Sequence, residues 1–173
     1  MTKVLARAAM DSGHDVIGAE THGMAQRGGS VVSHLRLGTG RSSLVGTGEA
    51  RYLLALNADE AYRCLPFLAP EGRLYTNADA DVFPSAPVAD YLRRNRMVSR
   101  CLPVGRIALE QGAPMSANLA LLGFFAALDD GPLSEAVLRT TVDQVTPERF
   151  KAINLKVFDA CAAAGRTLYE PDH

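Results

Sequence analysis
The sequence has no tryptophan, 6% aromatic residues and three cysteines among 173 residues. Cys64, Cys101 and Cys161 lie far apart, and none belongs to a Cys-x-x-Cys pair. That spacing excludes the usual ligand pattern of a structural zinc or of an iron–sulfur cluster held by this chain. An odd number of cysteines with no signal peptide fits a reducing cytoplasm. The thiols themselves read as small hydrophobes of the core. No excess of one charge is present either, with 18 Lys plus Arg against 19 Asp plus Glu. This balance argues against a general nucleic-acid or anionic-membrane binder. The N-terminus lacks a basic region followed by a long apolar stretch. The most apolar segment, Leu119 to Leu128, is far shorter than the roughly 20 residues that span a bilayer. A soluble, cytoplasmic protein with neither membrane nor nucleic-acid partner is expected.

Apolar residues are plentiful, at 47% of the chain. A single domain over residues 1–173 is the economical reading, since a chain of this size buries about 70% of its unfolded surface. From Thr2 to Ser12, Val4, Leu5, Ala8 and Ala9 recur at helical spacing, and Gly13 supplies a stop. Val16 to Ala19 reads as a strand. Ser30 to Leu37 alternates, with Val31, Ser33, Leu35 and Leu37 on one face and Val32, His34 and Arg36 on the other. Arg51 to Leu56 is a nearly continuous apolar run, as in a strand covered on both sides.

A helix is expected from Ala58 through Leu68, a turn at Pro70-Glu71-Gly72 and a strand from Arg73 to Asn77. A helix around Val88 to Arg96 and a strand near Cys101 to Ile107 follow. Ser116 is placed to cap a helix that is apolar almost all round from Leu119 to Leu128. Another helix spans about Ser134 to Val145. A last helix has Thr146 as N-cap, Pro147 at its first position and Gly165 just past its end. Strands alternating with helices predict an α/β three-layer sandwich with a largely parallel, Rossmann-like sheet.

Chemistry concentrates in the loop from Glu20 to Gly29. Gly28 and Gly29 permit close backbone approach or positive φ. Arg27 offers a fork of donors for a carboxylate or phosphate, and His22 and His34 are imidazoles that can exchange protons near neutrality. Glu20 closes a strand, where open α/β sheets place ligand sites. From the chemistry alone, the loop is either functional or a turn ordered by Arg-Gly-Gly. His34 and Arg36 can equally be strand residues paired with acidic neighbours. Asn154 lies within the apolar stripe of the last helix, where an amide tied to backbone groups elsewhere is expected. Asn118, near a helix N-terminus, either caps locally or helps to place an anion.

As a whole string, ETHGMAQRGGSVVSHLRLG resembles the γ family of 2-oxoacid:ferredoxin oxidoreductases, and especially its indolepyruvate branch. There a Glu-x-His-Gly-Met-x-Gln-Arg-Gly-Gly-Ser-Val run follows a strand. The matching positions are Glu20, His22, Gly23, Met24, Gln26, Arg27, Gly28, Gly29, Ser30 and Val31. Similar features continue through Leu53 to Leu56, Asn77, Asn118, Leu122-Gly123 and Ile153 to Phe158, so the resemblance reaches from Lys3 to about Glu170.

The resemblance implies that this chain binds no cofactor and has no catalytic residue of its own. It implies a complex that uses thiamine diphosphate, iron–sulfur clusters and coenzyme A, held by a large catalytic subunit, with ferredoxin as an indirect partner. The Glu20–Gly29 loop is the segment expected to meet that partner or its substrate region. Family members usually open with a strand and a Gly-x-Gly-Gly-x-Gly turn, whereas this sequence starts within or just before the helix that follows. Nucleotide binding through that turn is therefore not expected, and an unpaired strand edge is. A stand-alone nucleotide or coenzyme A module and a purely structural subunit are the competing readings. No nucleophile–base pairing suggests a self-sufficient enzyme.

Overall fold
From Ala50 onward, strands alternate with helices, and each helix carries the chain back so that the next strand can pair in parallel. A computed structural model describes residues 1–22, 31–40, 42–128 and 131–169. In chain order the elements are α1 (Thr2–Asp11), β1 (Val16–His22), β2 (Val31–Leu37), β3 (Ala50–Ala55), α2 (Ala58–Cys64), β4 (Leu68–Asn77), α3 (Ala86–Arg94), β5 (Val98–Leu102), α4 (Val104–Glu110), α5 (Ala117–Leu128), α6 (Glu135–Val145) and α7 (Glu148–Tyr169). Short 3₁₀ turns at Leu65–Phe67 and Pro114–Ser116 lead into β4 and α5.

Strands β3, β4 and β5 form a parallel sheet in that order, while β1 and β2 pair antiparallel as a separate ribbon. The expected α/β class is present, with parallel pairing confined to the last three strands. Successive residues of β4 enter different cores. Leu74 packs with Leu65, Phe83 and Leu92, whereas Tyr75 packs with Phe124, Leu121 and Phe158. Both faces of the sheet are thus covered, which is why β3 reads as an apolar run rather than an alternation.

Helix α5 is buried at every residue from Leu119 to Ala126, so its all-round apolar composition is a consequence of its position. Its closest neighbour is α7. A Cβ at Gly123 would overlap the backbone carbonyl of Phe158, and one at Gly165 would lie 2.7 Å from Cδ2 of Phe124. Glycine at both points lets the two helices approach.

Several boundaries differ from the sequence expectation. Gly165 does not end the last helix, which continues to Tyr169; the glycine is retained for packing. The strand expected at Cys101–Ile107 stops at Leu102. Pro103 has no N–H for a ladder, and its carbonyl accepts from Arg106 and Ile107 to open α4. The helix expected through Leu68 ends at Cys64 and tightens into a 3₁₀ turn at Pro66. The turn at Pro70–Gly72 lies inside β4, where Glu71 has φ 65° and donates its N–H to Asn95 O at 3.0 Å. Ser116 does not cap α5; its hydroxyl donates to Asn154 Oδ1 at 2.7 Å.

Candidate functional site
The β1–β2 ribbon carries the chemistry-bearing segment at its tip. Its register runs from Val16 opposite Leu37 to His22 opposite Val31. Glu20 faces Ser33 across the ribbon, and the Ser33 hydroxyl donates to Glu20 Oε1 at 3.4 Å. Gly23, Gln26, Arg27, Gly28 and Gly29 lie outside the described residues, as does the side chain of His22. The structure therefore places the two ends of the loop, through Glu20 and Val31, on one edge of the molecule.

Behind the tip, β2 holds the connection to β3. Arg36 donates to Leu44 O at 2.9 Å and forms an ion pair with Glu49. Glu49 also accepts from Gly46 N at 3.0 Å. The Gly46 N–H, followed by the Arg36 guanidinium, holds the Glu49 carboxyl below the usual carboxylate range. One turn of the pleat away, His34 is 6% exposed, its Nδ1 accepts from Val45 N at 3.2 Å, and its ring meets Phe67 edge-on. The alternation in β2 therefore puts His34 and Arg36 on one face, as expected, and both fasten the segment 42–49. The acidic neighbour anticipated for this pair serves Arg36; His34 uses a backbone donor instead.

Between β2 and β3 lies a cleft of about 1010 Å³. Leu35, Leu37, Leu53, Leu54 and Phe125 give it an apolar lining, with Asn118 at its polar side. Among the described residues, β2 pairs with β1 and β3 with β4, so each presents an open edge. The amino group of Met1 also borders the cleft, and burial, then the charge of Lys3, pushes its pKa down. Asn118 Oδ1 accepts from Leu119 N at 2.9 Å, a local contact at the start of α5. Asn154 is only half-buried and holds the Ser116 side chain, not a backbone group, so the expected backbone tie is corrected to a side-chain pair. Among the described residues, neither Asn118 nor Asn154 bonds to the Glu20 end of the ribbon; they bond to Leu119 N and Ser116 Oγ.

Two further arrangements had no sequence signal. The Tyr169 hydroxyl bonds both main-chain groups of Cys101, and Arg100 lies over the rings of Tyr75 and Tyr169 while donating to Leu128 O at 2.6 Å. Only long-range proximity reveals them, since Cys101 and Tyr169 are 68 positions apart.

The thiols of Cys64, Cys101 and Cys161 are free and buried. Burial raises all three, that of Cys161 to about 12. Cys101 Sγ donates to Phe83 O, and Cys161 sits in the core beneath α5, so these donors are not arranged to share a cluster. Among the described residues no three His, Cys, Asp or Glu side chains gather as metal ligands.

A family model described as pyruvate ferredoxin/flavodoxin oxidoreductase matches residues 1–164. The chain belongs to that family. It is 31% identical to the indolepyruvate oxidoreductase subunit IorB of Methanothermobacter thermautotrophicus over 95% of this chain and 90% of the relative. It is 32% identical to the subunit of the same name from Archaeoglobus fulgidus, over 88% of this chain and 84% of the relative. In fold it is similar to the γ subunit of a keto/oxoacid ferredoxin oxidoreductase from Geobacter sulfurreducens, with a TM-score of 0.73 at 22% identity, covering 95% and 89% of the two chains. No helix among the described residues is long and apolar enough to cross a membrane.

Proposed function
We propose that this chain is the cluster-free subunit of a 2-oxoacid:ferredoxin oxidoreductase that acts on indolepyruvate or a related aryl pyruvate. The observation that carries this reading is the likeness, along almost the whole chain, to subunits named for indolepyruvate oxidoreductase. The chain's own donor set supports a division of labour, because its thiols are buried apart from one another. In this reading thiamine diphosphate, iron–sulfur clusters and coenzyme A reside on a larger subunit and supply decarboxylation, electron removal and acyl acceptance. The present chain packs against that subunit and helps to shape the region where substrate and coenzyme A bind. Its place of work is the cytoplasm, with ferredoxin receiving electrons through the larger partner.

The segment assigned to that contact is the Glu20–Gly29 loop at the tip of the β1–β2 ribbon. Arg27 provides a planar pair of donors for an anionic group of the substrate or coenzyme, or for an acidic patch on the partner. His22 and Gln26 supply hydrogen bonds, and the lack of a side chain at Gly23, Gly28 and Gly29 allows the backbone to lie close. The test is steady-state kinetics of the purified complex carrying Arg27→Ala. The reading predicts that 2-oxoacid-dependent ferredoxin reduction falls at least about tenfold, the loss of one charge-assisted contact of roughly 1.5–3 kcal/mol, while the subunits still co-purify. Unchanged kinetics in an intact complex would contradict the role given to Arg27.

A further inference from the structure
The connection from β2 to β3 is fastened to β2 by two side chains of one face, and only one of them, the imidazole, holds its partner through a lone pair that a proton can occupy. Arg36 grips Leu44 O and Glu49 and stays charged. His34, two residues earlier, receives the N–H of Val45 on Nδ1. An imidazole that accepts at Nδ1 carries its single proton on Nε2, and a second proton would remove the acceptor. Because Val45 N–H then has a cation in place of a lone pair, the same contact turns from attractive to repulsive.

We propose that His34 is a proton-sensitive latch, whose neutral ring holds Val45 of the strap 42–49 against β2 and whose protonation releases that residue. The strap keeps its other anchors, Arg36 on Leu44 O and Glu49 and Gly48 N on Pro66 O at 2.9 Å, so release is confined to the Val45 peptide. The effect falls on the wall of the cleft between β2 and β3, which Val45 and Glu49 line. Among the described residues, the other ionisable groups bordering that cleft are Arg36 on β2, Glu49 on the strap, Arg51 and Tyr52 on β3, Glu60 and Cys64 on α2, and the Met1 amino group. Arg36 is paired with Glu49, and Glu60 with Arg63 at 3.1 Å. The two carboxylates are thus paired with arginines, Arg51 lies over the Tyr52 ring at 5.8 Å, and the proton count of the His34 ring sets the latch.

Hydrogen exchange of the full chain tests this, with exchange corrected for the intrinsic effect of pH and β4 as internal reference. The protection of the Val45 amide is expected to fall roughly fivefold or more between pH 8 and 5.5, the worth of one buried hydrogen bond. In His34→Gln, whose amide oxygen accepts at every pH, protection stays high and flat; in His34→Phe it is low and flat. Equal protection of the wild type at both pH values, or a pH response that survives in His34→Gln, would overturn the latch. A nitrogen-15 spectrum of the wild-type imidazole is independent of any variant. It should show the Nε2–H tautomer at pH 8, and an Nδ1–H tautomer would overturn the proposal equally.

Discussion
The Tyr169 hydroxyl accepts the N–H of Cys101 at 2.8 Å and donates to the Cys101 carbonyl at 2.9 Å. Cys101 pairs with Thr76 in the β4–β5 ladder, so the tyrosine occupies the side of β5 where a further strand would bond. One side chain at the end of α7 thus satisfies both main-chain groups of a buried residue and ties the last helix to the edge of the sheet. Arg100, stacked over the same ring, closes the arrangement on Leu128 O.

Tyr169→Phe removes the hydroxyl while keeping the ring that packs on Phe124. It leaves a buried N–H and C=O without their partner, an effect of about 1–3 kcal/mol. Urea unfolding should show a lower midpoint with an unchanged m-value. An unchanged midpoint would mean that water replaces the hydroxyl without loss.

The alkaline limb of stability should be set chiefly by two buried acids, Cys161 and Tyr169, with Cys64 and Cys101 adding to it. Burial raises Cys161 from 9.0 to about 12 and is also the main cause raising Tyr169 from 10.0 to about 12. A group held neutral in the fold but free to ionise when unfolded contributes stability that is complete below its unfolded pKa and is lost as pH rises toward its folded pKa. Stability should therefore decline from about pH 9 and continue downward to about pH 12. Cys161→Ala should make that decline shallower without moving its onset, because burial also raises Cys64 and Cys101 from 9.0. Chemical denaturation at a series of pH values checks both statements, and a decline of unchanged steepness in the variant would contradict them.

The two packing glycines should be intolerant of a single methyl. Gly123→Ala sets a Cβ against the rigid backbone of Phe158, whereas Gly165→Ala sets one against the Phe124 ring, which has some freedom to turn. Both lie within helices, where alanine is intrinsically favoured by about 1 kcal/mol. The overlap should outweigh that gain at Gly123, costing about 1–3 kcal/mol net, with a smaller loss at Gly165. Thermal unfolding of the two variants gives the order directly.

Much of this fold was legible in the sequence because local patterns and the tertiary structure agree. The run Leu53-Leu54-Ala55 told of a strand covered on both faces, and the all-round apolar α5 told of a central helix. Where they disagree, a distant contact decides. Gly165 looks like a helix stop until Phe124 is seen beside it, and Ser116 looks like a cap until Asn154 takes its hydroxyl. Pro103 shows the opposite case, a local signal, the missing N–H, that suffices to end β5. For the site, the alternation of β2 correctly grouped His34 with Arg36. It did not disclose that both serve the segment after them, since Val45 and Leu44 reach back only through the turn of the chain. Residues 23–30, which carry the family resemblance, lie outside the described residues, so the role of Arg27 rests on chemistry and likeness.

The most direct test of the central claim is affinity purification of the tagged chain from its own cells, with quantitative mass spectrometry of the proteins that accompany it. The account predicts near-equal recovery of a larger protein that contains thiamine diphosphate and iron–sulfur clusters, together with 2-oxoacid-dependent reduction of ferredoxin by the eluate. Recovery of the folded chain alone, with no such partner and no such activity, would contradict it.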